Sequence, residues 1–267
     1  MTPARVAVFG GVYANPTALA AVLADARDRD CARIFNLGDL GGFGADINGV
    51  WPLLERYEVE SIAGNYDIAL GFDQQSCGCG YTDPDDQREA QQIYDLTHAA
   101  VDPSFAKWMQ TLPGQLRLAL GGQDVLMVHG SPIEVNDFLW ESRSDDEIRR
   151  RLDAVPGKRP AVMLCSHTGI PWQRQVDATL VVNVGAVGKP PNNGSPDVAY
   201  AVLDLDSESV SAEIVMVAYD YRAQAADMRA AGLPGECAET IETGWWRSAT
   251  GILPAAEQVT GNPSGAA

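Results

Sequence analysis

Three times in the first seventy residues a short β-branched run breaks off into a glycine-bearing loop, and this repetition constrains the fold more than any other feature of the chain. Arg5–Gly10 (RVAVFG) leads through a Gly-rich turn to Asn15-Pro16, a helix N-cap followed by a first-turn proline. Leu19, Val22, Leu23 and Ala26 then recur at helical spacing. Arg33–Leu37 leads to the glycine-dense loop Gly38–Gly44 and to a second helix whose apolar face is Ile47, Val50, Trp51 and Leu54. Glu58–Ala63 ends in the loop Gly64-Asn65-Tyr66-Asp67. Strands alternating with helices predict a mainly parallel sheet with crossover connections. Ligands in such sheets sit beyond the carboxyl ends of the strands, so all three loops fall on one functional edge.

The stretch 83–113 is amphipathic and helical without a strand signal, which predicts a cap-like insertion over that edge. Beyond it the pattern turns to strands: Gln115–Leu120 and Asp124–His129 around Gly121-Gly122 as a hairpin, then Ala161–Ser166, Ala178–Val184, Val198–Leu205 and Val210–Val217. A helix-rich first sheet and a second sheet built from the later strands and hairpins suggest an α/β fold of two packed sheets flanked by helices, in one domain over 1–250, with a disordered Pro/Gly-rich tail over 251–267. With 46% hydrophobic residues, the 267-residue chain has ample material for such a core. Its net charge of −17 argues against a nucleic-acid or membrane-surface partner. No apolar run approaches bilayer length and no signal-peptide pattern opens the chain, so a cytoplasmic location is expected. Five cysteines, an odd number, argue for reduced thiols over a disulfide framework. A homo-oligomer is compatible with the sequence.

Four side chains able to hold a metal follow strands: Asp39 in LGDLGGFG, Asn65 in AGNYD, His129 in LMVHGSP and His167 in LCSHTG. One carboxylate, one amide oxygen and two imidazoles form a borderline donor set suited to Mn, Fe or Zn. Any one of them alone is explained as well by a strand-end hydrogen bond to a neighbouring loop. Taken together and in this order they are specific.

Gly38-Asp39, Gly64-Asn65-Tyr66-Asp67, Val128-His129-Gly130 and Ser166-His167-Thr168-Gly169 resemble the motifs of the calcineurin-like metallophosphoesterases, and the likeness spans roughly 5 to 205. The texture of GDLGGFG, VHGSP and NVGAVGKP is similar to the small bacterial branch of that family. The resemblance implies a four-layer αββα sandwich and a two-metal phosphoesterase site. This chain departs from that pattern: Gly11 stands where the family has an aspartate, Tyr13 where it has a histidine, and Gly169 replaces the second histidine of the last motif. All three losses fall on one metal, whereas Asp39, Asn65, His129 and His167 match the whole set for the other. Random loss of three of six unshared ligands would be so one-sided roughly one time in twenty. A phenol is a poor substitute ligand at neutral pH, because it must first give up a proton held with a pKa of about 10.

The expectation is therefore a divergent phosphoesterase acting on a small phosphate ester or related metabolite, with a single divalent metal on those four residues and reduced or altered activity. Tyr66 and Asp67 are the candidates for orienting the phosphoryl group or protonating the leaving group. The alternative is an inactive protein of the same fold that binds a small phosphorylated ligand or regulates a partner. New chemistry on the same metal is a third reading. Asn15 is expected as an N-cap, and His98 as structural or exposed. Cys77 and Cys79 read as a tight turn or a weakly supported zinc site. Gly185-Ala186-Val187-Gly188 is either a sharp turn or an anion nest.

Overall fold

The computed structural model describes residues 2–258. The first sheet has the order β10-β9-β1-β2-β3, from β1 (Ala4–Phe9), β2 (Arg33–Asn36), β3 (Glu60–Ser61), β9 (Val198–Leu205) and β10 (Val210–Val217). The second has the order β4-β5-β6-β8-β7, from β4 (Gln115–Leu120), β5 (Gln123–Val128), β6 (Val162–Cys165), β7 (Trp172–Val176) and β8 (Thr179–Asn183). β1, β2 and β3 run parallel, as do β5, β6 and β8. Strand alternation builds the layers. Val6 and Val8 of β1 turn inward to meet Val125 and Met127 of β5, with Val162 and Leu164 of β6, in the dry core between the sheets. Ala7 and Phe9 turn outward onto α1 (Pro16–Asp28), through Leu19, Val22 and Leu23. On the far side, α6 (Asp145–Asp153) covers the second sheet with Ile148 and Leu152. The result is two mixed sheets flanked by helices.

Asn15 caps α1 as expected, its Oδ1 accepting from the Ala18 N–H at 3.0 Å. Two expectations are corrected. The hairpin β9–β10 does not join the second sheet: β9 pairs antiparallel with β1, because its all-buried run VAYAVL fits an inner strand and not an edge. The short strand β7, whose alternating WQRQV carries only two buried residues, was not foreseen.

The stretch 83–113 holds α4 (Pro84–Ala100) and α5 (Pro103–Met109), after α2 (Val50–Arg56) and α3 (Asn65–Gly71). Beyond the sheets, α7 (Tyr221–Ala230) and α8 (Gly235–Thr243) pack on Phe43 and on Ile93 of α4. The expected tail starts too early. Leu253 is buried with Trp140 and Trp246, and a 3-10 turn spans Ala255–Glu257, since apolar side chains there find a pocket between two tryptophans. Residues 259–267 lie outside the described residues.

Candidate metal centre

Asp39, Asn65, His129 and His167 all follow the carboxyl ends of parallel strands, β2, β3, β5 and β6 in turn. The loops that bring them together are backbone-to-backbone assemblies. Gly38 and Gly64 press so closely that a Cβ on either would overlap the other loop, leaving the left-handed Asp39 (φ 61°) with its Oδ1 on the Tyr66 N–H at 3.0 Å. Asp67 fixes the same corner from beneath. Its carboxylate accepts from the N–H groups of Asp39 (2.8 Å), Leu40 (2.9 Å) and Gly64 (2.8 Å). Burial, joined by the charge of Asp39, pushes the Asp67 carboxyl up to about 7 against those three donors. His167 is also left-handed, at φ 30°. Asn183 at the end of β8 holds its loop, donating to Ser166 O and Thr168 Oγ1, each at 2.8 Å.

The donor atoms converge. Nδ1 of His129 lies 2.6 Å from Leu37 O, which fixes the proton on that nitrogen and leaves Nε2 as a lone pair. That Nε2 is 3.2 Å from Asp39 Oδ2 and 3.0 Å from His167 Nδ1. One ligand atom from each of the three residues falls within 4.8 Å of the others. All three side chains are buried. Nε2 of His167 faces the backbone of Cys79 without a well-formed hydrogen bond. Asn65 donates its Nδ2 to Cys77 O at 2.9 Å, and its buried Oδ1 has no partner. A carboxylate and two imidazoles whose ligand atoms lie this close together fit a divalent metal, and the orphaned amide oxygen of Asn65 is on the loop after β3.

The electrostatics couple the three groups, with a proton competing for the position between His129 Nε2 and Asp39. For Asp39, burial favours the neutral acid, but the imidazoles of His129 and His167 outweigh it and hold the carboxyl below its ordinary range. For His129, burial is outweighed by Asp39 and the pKa rises. His167 goes the other way, pushed down to about 3 by burial and then by His129, so it is neutral and ready to donate a lone pair.

A cavity of about 80 Å³ opens beside Asp39 and His167. Its walls are Tyr13, Tyr66, Tyr81, Phe138, Trp140 and Trp246, with Asp86, Glu89 and Lys189 among the polar groups. Asp86, Glu89, Ala90 and Ile93 of α4 form one side of it. Burial keeps the phenols of Tyr13 and Tyr66 well above their ordinary pKa, so both remain donors. Tyr66 faces this space, whereas Asp67 is not among its lining residues.

Residues 5–208 match the pattern of the calcineurin-like phosphoesterase superfamily domain. The chain belongs to that superfamily. Among its relatives in sequence, an uncharacterised protein of Methanocaldococcus jannaschii is 25% identical over 83% of this chain and 90% of its own length. Among solved structures, a metallophosphoesterase from Sphaerobacter thermophilus is 25% identical, with a TM-score of 0.69 over 90% of this chain and 99% of its own. A hypothetical protein of Pyrococcus horikoshii shares the fold at a TM-score of 0.76 and 20% identity, covering 90% of this chain and 98% of that one. Among the described residues of this superfamily member, no helix is long and apolar enough to cross a membrane.

The structure also settles features outside the donor set. Cys77 and Cys79 are joined by a disulfide, leaving Cys31, Cys165 and Cys237 free. Five reduced thiols and a zinc site on this pair are both overturned, because the turn brings the two sulfurs together. His98 lies at the surface, 2.7 Å from Asp73 Oδ1. The Gly185–Gly188 segment is no anion nest: Val187 and Gly188 spend their N–H groups on Gly10 O (3.0 Å) and Gly11 O (2.7 Å). Sequence reasoning missed Lys189 and Trp246, which both line the cavity.

Proposed function

We propose that the protein hydrolyses a small phosphate ester with a single divalent metal, Mn, Fe or Zn, held by Asp39, Asn65, His129 and His167. The observation that carries this reading is the convergence of three lone-pair atoms within 4.8 Å, with the unpartnered Asn65 Oδ1 on the neighbouring loop. When bound, such an ion polarises a phosphoryl oxygen and lowers the pKa of a coordinated water. The chain's own residues do the rest. Asp67 holds Asp39 and Leu40 in place through their backbone N–H groups and acts as a positioning residue. Tyr66 presents a protonated phenol to the cavity, suited to hydrogen-bonding a phosphoryl oxygen or the leaving oxygen. The modest cavity and its ring-lined walls favour a compact substrate with a planar leaving group.

The test is to quantify bound metal in the purified protein and assay phosphomonoesters and phosphodiesters with added Mn²⁺, beside a His129→Ala variant. Metal-dependent turnover that the variant lacks supports the reading. Neither metal nor turnover, with parent and variant alike, ends it. The second reading, a pocket that binds a phosphorylated ligand without turnover, draws on the aromatic rings that fill the neighbouring ligand positions, and predicts thermal stabilisation by ligand in the absence of hydrolysis.

A further inference from the structure

The three positions that depart from the two-metal pattern lie together. The side-chain direction of Gly11, at φ +55°, is filled: a Cβ there would stand 2.9 Å from Tyr13 Cζ and from Ala186 Cβ. A Cβ on Gly169 would stand 3.5 Å from Cζ2 of Trp246. Lys189 enters this same place. Its Nζ is 3.6 Å from the centroid of the Trp246 indole and 5.1 Å from that of Phe43. The backbone carrying it is tied to the emptied loop by the Gly188-to-Gly11 hydrogen bond, and Gly188 lies so close to Tyr13 that a Cβ would be 2.6 Å from Tyr13 Cβ.

Lys189 is 7% exposed. Among the described residues, no hydrogen bond or ion pair holds its ammonium. The charged groups around it are Asp86 and Glu89 of α4, with the Cys237 thiol of α8, and none comes within ion-pair distance. Asp86 is already engaged by the Ala249 N–H at 2.9 Å. A buried cation without an internal counter-ion is costly, and ring faces compensate only in part. This one lines the same cavity as Asp39 and His167.

We infer that Lys189 is the anion-binding group of the site, its ammonium taking the phosphoryl oxygens of a phosphate ester on the side where a two-metal enzyme places its second ion. The assignment rests on the single-metal reading for its reaction, but not for its binding. A fixed ammonium supplies charge to the ester without needing ligands, which accounts for the coexistence of a cation with glycine and tyrosine at the ligand positions.

The experiment compares wild type, Lys189→Met and Lys189→Arg by calorimetric titration with Mn²⁺ and with inorganic phosphate, the latter on metal-free and Mn²⁺-loaded protein. Hydrolysis of an aryl phosphate is followed in parallel. Expected are Mn²⁺ affinities within about twofold of one another and a loss of phosphate affinity of about tenfold or more in Lys189→Met. The KM should rise more than kcat falls, with Lys189→Arg restoring most of the binding. Equal phosphate affinity in wild type and Lys189→Met, or no phosphate binding by wild type in either form, overturns the assignment. If wild type binds no Mn²⁺ yet loses phosphate binding on Lys189→Met, the single-metal reading fails while the lysine assignment stands.

Discussion

The two halves of the pocket are made from the same material and have opposite contents. On one side, Asp39, His129 and His167 turn lone pairs toward a common point and leave Asn65 Oδ1 unpaired. On the other, Tyr13 fills the space at Gly11 and Trp246 that at Gly169, while Trp246 and Phe43 flank an ammonium. Both sides hang from strand ends, and both use left-handed residues, Asp39 and His167 against Gly11 and Gly169. Backbone geometry alone therefore does not determine which half can hold an ion. The side chains differ: a carboxylate and two imidazoles close together suit a cation, while the rings on the other side already surround a lysine.

The comparison breaks most severely if the acceptor half is damaged. His129→Ala or Asp39→Ala should abolish the stabilisation by Mn²⁺ in thermal melts and lower kcat/KM by at least about 10³-fold, since metal-borne charge stabilisation is worth several kcal/mol. Retention of Mn²⁺ by either variant would show that the ion sits elsewhere. Next in size is Gly11→Asp, which should not add a second ion. It should instead destabilise the fold by about 2–3 kcal/mol in urea titrations, because its Cβ meets Tyr13 and Ala186 at a positive φ. Two Mn²⁺ per chain in this variant would erase the distinction between the halves.

Lys189→Met should act in the opposite sense and stabilise the free protein by about 2 kcal/mol at pH 7, by removing a desolvated charge. The sign follows from the direction of the shift. Burial lowers the lysine to about 8 in the folded state, from an ordinary 10.5. Its penalty is fully present below about pH 8, where the folded state carries the desolvated charge, and is relieved as pH rises through 8 to 10.5. The gap between variant and wild type should thus be widest below pH 8 and close as pH rises to 10.5, which denaturant melts across that range would show. The Asp86 and Glu89 carboxylates and the Cys237 thiol facing the ammonium belong in the fit of such curves. Smallest is the effect of reducing Cys77–Cys79. The bridge spans only two residues of separation, so reduction should cost about 1–2 kcal/mol on the chain-entropy model. Because Cys77 O accepts from Asn65 Nδ2, reduction should also weaken Mn²⁺ binding by about twofold to fivefold in calorimetry.

The acceptor half was legible in the sequence because each of its members closes a β-branched run, and a strand end in a parallel sheet has a known destination. Asn65 and His129 are placed by a few residues on either side of them. The other half was not legible, for a physical reason. Lys189 is one of 19 basic residues, and nothing local distinguishes a lysine that will be buried. Its burial depends on Trp246, which reaches it only after α8 has turned the chain back and Pro190 O has taken the indole N–H at 2.6 Å. Asp67 was legible as a residue of the site but not by its partners: GNYD marks a motif, and only the folded corner shows that the carboxylate serves three backbone N–H groups. The β9–β10 hairpin was recognisable as strands, but its choice of sheet depended on which edge of β1 was free, a fact of tertiary assembly that short-range patterning does not carry.

Trp246 and the residues just after it have a reach that their position near the carboxyl end conceals. The indole lies over Gly169 and Lys189, Ala249 ties down Asp86 at the start of α4, and Ile252 borders the cavity. Proteolytic trimming after α8 would spare every metal-facing side chain and yet unroof the pocket, exposing the ammonium to water. The rings over Lys189 and the acceptors around Asp39 are thus set by separate stretches of the polypeptide, and substitutions after α8 can change the first while leaving the second untouched.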